Sequence, residues 1–221
     1  MSHTITLLMS EFVTHDVKRF IVSRPEGVCF EAGQGVELAI DEDGWRGQGR
    51  PFTPTSLADD QVLEFTIKAY PDHDGVTKRL HQLHAGAALT LSEPFGAIRY
   101  RGAGTFIAGG AGITPFIAVL RERARQGGLE GHRLIFSNKT PADIICEKEF
   151  RHYLGERAEF LCTRAGSAGC RQQRIDRNYL SERVQAFDQR FYVCGPPKFV
   201  EEVNAHLQAL GASPDALVFE H

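Results

Sequence analysis

The sequence predicts two units in tandem, an antiparallel β-barrel followed by an α/β unit on a parallel sheet. Three observations point there. The first hundred residues carry short β-rich runs separated by turn residues. From Gly104 onward, apolar strand-like runs alternate with helical patterns. The glycines, 22 in all, cluster at the first strand–helix junction of that second half. A length of 221 residues suits one large domain or two compact ones.

The barrel strands are expected at Thr4–Val13, Val17–Val22, Gly35–Ile40, Leu63–Ala69 and Ala88–Leu91. Turns such as Arg24-Pro25-Glu26-Gly27 separate them, and one helical segment, Thr77–His84, interrupts the series. The second half reads as Thr105–Ala108, helix Pro115–Arg125, Arg133–Phe136, helix Cys146–Leu154, Glu159–Thr163, helix Arg177–Val184, Phe191–Cys194, helix Lys198–Leu210 and Leu217–Phe219. Alternating β and α elements imply a parallel sheet covered on both faces. The boundary is expected at Arg101-Gly102-Ala103-Gly104, giving domains 1–101 and 102–221.

Composition narrows the function. With 25 Lys+Arg against 28 Asp+Glu the net charge is −3, which argues against a nucleic-acid binder. The longest uncharged apolar stretch, Thr105–Leu120, is 16 residues and is broken by glycine and proline, so no membrane span is expected. The start of the chain has no basic region before an apolar run, so no signal peptide is expected. Five scattered cysteines, with no Cys-x-x-Cys, predict neither a disulfide framework, nor a zinc site, nor an iron–sulfur cluster. Reduced cysteines fit a cytoplasmic protein. His81, His84, His132 and His152 lack ligand partners at metal spacing. Arg121, Arg123 and Arg125 read as a solvated helix face.

The glycine cluster is Gly109-Gly110-Ala111-Gly112-Ile113-Thr114-Pro115. Between strand and helix it suits a phosphate cradle: glycine admits close backbone approach, and a helix N-terminus presents N–H groups to an anion. Pro115 suits a first helical turn. The dinucleotide fingerprint is half met. Gly110 and Gly112 supply Gly-x-Gly, Pro115 holds the third glycine position, and no carboxylate lies between Arg133 and Lys139.

Four further segments complete a pattern. Arg50-Pro51-Phe52-Thr53 follows the third strand, Gly75-Val76-Thr77 opens the barrel helix 22 residues after Thr53, Glu93-Pro94-Phe95-Gly96 closes the first half, and Cys194-Gly195-Pro196-Pro197 ends a later strand. In this order, with the glycine turn, the chain resembles the ferredoxin–NADP reductase superfamily, from Phe30-Glu31-Ala32-Gly33-Gln34 to Phe219-Glu220. The resemblance implies a flavin-binding barrel and a nicotinamide-binding α/β domain. With no cluster-type cysteine spacing, no fused 2Fe-2S domain is expected.

It also implies roles. Arg50 would hold flavin phosphate, its guanidinium being a fixed donor fork. Pro51, Phe52, Thr53, Ile67 and Lys68 would surround the flavin, with Phe52 in place of the family's usual tyrosine and the Thr53 hydroxyl near flavin N5. Gly75, Val76 and Thr77 would meet the pyrophosphate, which favours FAD over FMN. Gly110, Gly112, Ile113, Thr114 and Pro115 would meet NADH or NADPH. Cys194, with Gly195 and Pro196 behind it, would sit beside nicotinamide C4. Glu220 would lie near the same centre, and Phe219 would shield the flavin. Arg164, Arg171 and Arg174 occupy the region where the family binds a 2′-phosphate, which favours NADPH. Asp143 matches a family pattern and also an N-cap. The implied reaction takes hydride from NAD(P)H to FAD and passes electrons to a separate carrier such as ferredoxin or flavodoxin. Alternatives are the reductase subunit of a multicomponent oxygenase, a flavin reductase that releases reduced flavin, and a non-catalytic nucleotide-binding module.

Overall fold

The computed structural model describes residues 2–70, 74–96, 98–164 and 169–219. The first half holds strands β1 (Ser2–Phe12), β2 (Val17–Ser23), β3 (Val36–Ile40), β4 (Arg50–Phe52), β5 (Val62–Lys68) and β6 (Ala88–Ser92), with a five-residue helix α1 (Val76–Leu80) before β6. The strand order is β4-β3-β6-β1-β2-β5, with every pairing antiparallel. A bridge between Pro54 and Phe65 brings the chain just after β4 against β5, so the sheet nearly closes. Period-two alternation sends Phe20, Val22, Leu63, Phe65, Leu89 and Leu91 into one core. Closure removes most of the sheet edge that would otherwise invite pairing with another chain.

The second half holds β7 (Gly104–Gly109), α2 (Thr114–Arg125), β8 (Arg133–Asn138), α3 (Glu147–Leu154), β9 (Ala158–Cys162), β10 (Arg171–Gln172), α4 (Arg177–Arg183), β11 (Arg190–Cys194), α5 (Pro197–Ala209) and β12 (Leu217–Phe219). Its sheet is parallel, ordered β10-β9-β8-β7-β11-β12. Alternate residues serve two cores. Phe106, Phe136 and Phe160 pack with Phe116 of α2 and Phe150 of α3. Ile107, Ile135, Leu161 and Val193 pack with Leu180 of α4 and Val203 and Leu207 of α5. The chain leaves β7 toward β8 and later returns to β11 on its other side. This reversal opens a crevice at the carboxyl ends of β7 and β11, where open α/β sheets bind ligands.

Three expectations change. The barrel helix stops at Leu80 rather than His84, because the segment that follows turns back on itself (Leu83 N to Leu80 O, 3.1 Å). Cys162 and Cys170 form a disulfide with Cα atoms 5.9 Å apart. Eight residues of spacing carry no motif, and the bond exists because the chain returns from β9 to pair β10 beside it. The argument from cysteines to a reducing compartment therefore fails for this pair. Arg121 is also not on a solvated face, since its side chain is largely buried in ion pairs. Among the described residues no helix is long and apolar enough to cross a membrane.

Candidate active site

The glycine turn forms at the end of β7. Gly110 adopts φ +54°, a left-handed conformation that glycine enters without a Cβ penalty. Gly110–Ile113 make a 3₁₀ turn running into α2, and Thr114 Oγ1 donates to Ala111 O at 3.1 Å. The first N–H groups of such a segment have no intrahelical acceptor. Packing requires the other glycines. A Cβ on Gly112 would lie 2.5 Å from the Cys194 carbonyl and the Gly195 nitrogen. One on Gly195 would lie 2.7 Å from the Phe199 ring. The turns after β7 and β11 thus nest together, which the sequence could not reveal because the two lie more than eighty residues apart.

Between these turns and the barrel lies a cavity of 650 Å³. Gly110, Gly112, Thr114, Cys194, Gly195 and Pro196 line it, all anticipated as nicotinamide contacts. Lys68 and Tyr70 form its barrel wall. Beside it a smaller pocket of 170 Å³ is lined by Pro51, Phe52, Thr53, Ile67, Lys68 and Thr77, all anticipated as flavin contacts. β4, β5 and the start of α1 deliver these residues from separate stretches of chain. The two spaces share four lining residues: Lys68, Tyr70, Ala111 and Thr114.

Other anticipated residues sit elsewhere, except Asp143, which lines the larger cavity. Arg50 is exposed and donates to Gly49 O at 2.8 Å. Val76 is buried in the barrel core, and Ile113 and Pro115 are buried under α2. Val76 and Ile113 can offer backbone only, and Pro115, which has no N–H, offers no donor. Gly75 caps α1 with open space where a Cβ would be. Arg164, Arg171 and Arg174 are exposed and line neither space. Asp143 is the third residue of a 3₁₀ turn and accepts from Thr140 N (2.8 Å) and Oγ1 (2.6 Å), a capping role. Phe219 pairs through its backbone with Val193, and its side chain lies outside the described residues, as does Glu220.

Asn138 went unrecognised. It ends β8, lines the larger cavity, and is only 4% exposed, yet both its side-chain amide atoms lack a partner among the described residues. A buried amide left unsatisfied costs about 1–3 kcal/mol per group, so it asks for a ligand. Ser137, Lys139 and Thr163 line the cavity beside it. Their signal in the sequence was positional: they follow the carboxyl ends of parallel strands. Lys68 Nζ holds Asp16 Oδ2 at 2.6 Å, and His15 lies 3.6 Å from Asp16 and 3.8 Å from Asp143 across the seam. Burial pushes the Asp16 carboxyl up, but Lys68 more than offsets it and the net shift is downward.

Residues 4–100 match the oxidoreductase FAD-binding domain, and residues 106–205 match the oxidoreductase NAD-binding domain. An NADH-cytochrome b5 reductase 1 of Aspergillus fumigatus is 30% identical over 224 residues, covering 90% of this chain and 71% of its own. The chain belongs to the ferredoxin–NADP reductase superfamily. It is an NAD(P)H-dependent flavoprotein oxidoreductase with FAD as its cofactor. The reductase is also 23% identical to the ferredoxin–NAD(P)+ reductase component of a Pseudomonas putida naphthalene 1,2-dioxygenase system, over 95% of this chain and 66% of that one. In fold it is similar to a ferredoxin NADP+ reductase from Neisseria gonorrhoeae solved with FAD and NADP, with TM-score 0.83, 22% identity and coverage of 95% and 92%. The residues present fit both groups. The larger cavity is lined by Gly110 and the buried Asn138, and the smaller pocket by threonines 53, 66 and 77.

Proposed function

We propose that this reductase draws hydride from NAD(P)H held in the 650 Å³ cavity to FAD held in the pocket beside it, and passes electrons to a separate carrier. One observation carries this reading: the two spaces share Lys68, Tyr70, Ala111 and Thr114 as a common wall, so ligands in each would meet. Bound FAD supplies hydride acceptance and stepwise electron release. The chain supplies position. Phe52 offers a flat apolar face, the buried Thr53 hydroxyl offers a polar contact at the flavin edge, and Cys194 with the Gly195-Pro196 turn shapes the approach of the nicotinamide. Holding donor and acceptor in near-attack geometry can contribute about 7–11 kcal/mol. Functionally the chain divides at 101/102, with the cytoplasm as its working compartment. The carrier is a ferredoxin or flavodoxin. The reductase component of an oxygenase is the second reading, favoured by the likeness to the naphthalene dioxygenase component. Glu220 and Phe219 belong to the nicotinamide and flavin contacts in this proposal, and Arg164 and Arg174 to the 2′-phosphate.

The test is an anaerobic titration of the FAD-loaded protein with NADH and NADPH, followed by ferredoxin, flavodoxin and cytochrome b5 in turn. Bleaching of the flavin band and reoxidation by ferredoxin or flavodoxin are expected, with NADPH the better donor by kcat/KM. A flavin band that neither nucleotide bleaches defeats the hydride reading. Reoxidation by cytochrome b5 alone replaces the carrier.

A further inference from the structure

Arg121 lies on α2, two turns beyond Thr114 and on the helix that begins at the glycine turn. Its guanidinium spans the seam between the halves. Nη1 donates to Thr55 O at 2.7 Å and to Glu64 Oε1 at 2.6 Å, both in the barrel. Nε and Nη2 donate to the two carboxylate oxygens of Glu149 on α3, at 2.6 and 3.0 Å. This is the bidentate fork that arginine makes and lysine cannot. Burial lowers the affinity of Arg121 for its proton, and the two carboxylates more than restore it, so the charge is fixed.

The contacts continue toward both ligand spaces. Glu64 Oε1 also accepts from Thr55 Oγ1 at 2.7 Å, and Thr55 Oγ1 lies 3.3 Å from Thr66 Oγ1. Thr66 lines the flavin pocket, and the next two residues of β5, Ile67 and Lys68, complete that wall. At the other end, α2 begins at Thr114 and the Ala111 turn, which belong to the wall shared by both spaces. One side chain therefore ties the strand that builds the flavin wall to the helix that builds the nicotinamide wall. It lines neither space itself.

We propose that Arg121 is a positioning residue for hydride transfer. By fixing α2 against β5 it sets the separation of the two reacting atoms. This inference rests on the hydride reading above. The energetic reason for a charged clamp rather than an apolar contact is directional. A misplacement of about 1 Å can cost roughly a hundredfold in rate. The fork to Glu149 fixes the guanidinium within its own half, and Nη1 then places two directional hydrogen bonds on Thr55 O and Glu64 Oε1 of the barrel, where apolar packing alone tolerates sliding.

The test compares wild type, Arg121→Lys and Arg121→Met in two measurements. The first is stopped-flow reduction of the FAD-loaded protein by protiated and C4-deuterated NAD(P)H, with flavin affinity and Tm measured alongside. The second is amide hydrogen exchange on the flavin-free chain. The expected result is a fall of roughly ten- to a hundredfold in limiting reduction rate for Arg121→Met, a changed primary isotope effect and unchanged flavin affinity. Arg121→Lys should fall between. Exchange should quicken at the Thr55 amide, which donates to Glu64 O. An unchanged rate and isotope effect in Arg121→Met overturns the proposal. So does a loss of rate that merely tracks loss of flavin affinity and Tm. If wild type itself shows no reduction by NAD(P)H, the hydride reading falls, and unchanged exchange at Thr55 in Arg121→Met would then overturn the clamp as well.

Discussion

The seam between the barrel and the parallel sheet is built in two opposite ways along its length. Where β7 and β11 end, it is open, lined by glycine, proline, apolar side chains and a few uncharged polar groups, with Lys68, Lys139 and Asp143 as its charged residues. Where α2 passes Thr55 and Glu64, it is filled by a guanidinium shared among two carboxylates and a carbonyl. The open stretch leaves the Asn138 side-chain amide without a partner among the described residues, and the filled stretch satisfies Arg121 four times. Recognition needs unmet polar groups and space. Alignment needs met ones and contact. A two-domain reductase must do both at one interface, and this chain separates them along α2.

Three changes probe that contrast. The largest effect is expected on the open side. Gly112→Val would place carbon 2.5 Å from the Cys194 carbonyl, so the two turns could not nest. We expect NAD(P)H-driven flavin reduction to fall below detection and stability to drop by about 1–3 kcal/mol, the usual cost of overpacking. A variant that titrates normally with nucleotide would show that the nested turns do not form the cavity. Next is Cys194→Ala, which keeps the backbone turn and shortens one side chain. Reduction should slow by roughly tenfold, the modest end of a positioning effect, with flavin still bound. An unchanged rapid phase would remove Cys194 from the encounter.

The smallest effect is expected on the filled side, in acid. Burial raises the Glu149 carboxyl, but hydrogen bonding and charge from Arg121 prevail, helped by the Tyr153 hydroxyl and the Cys146 thiol, and its net position is below the ordinary glutamate range. The Cys146 thiol, pushed up to about 12 by burial and by Glu149, stays protonated as a donor. A carboxyl depressed in the folded state contributes stability that is present above its unfolded value and lost as pH falls through its folded value. Tm of the wild type should therefore decline below the ordinary glutamate range, and Glu149→Gln should flatten part of that decline. Parallel curves for the two proteins would show that Glu149 does not couple the clamp to pH.

The parts of the site legible in sequence were those whose chemistry is local. Gly110 announced a tight turn because only glycine takes such backbone cheaply, and Phe52 and Thr53 stood in a segment of fixed pattern. Asn138 and Tyr70 carried no such mark, since an asparagine or tyrosine after a strand has many uses. Cys162 and Cys170 became a pair through the return of β10 to β9. Arg121 looked like one of three solvated arginines on a helix. The same helix turn faces Glu64, 57 residues earlier, and Glu149, 28 residues later.

By itself the sequence determined the two kinds of sheet, their order and the glycine and proline turns that line the larger cavity. Alternation, helical periodicity and glycine placement are local consequences of backbone geometry and burial. Only the tertiary structure decided that two spaces share one wall, that the Asn138 side-chain amide has no partner among the described residues, and that Arg121 joins the halves. Those properties depend on which distant side chains come within hydrogen-bond reach, and that is set by how the barrel packs on the sheet.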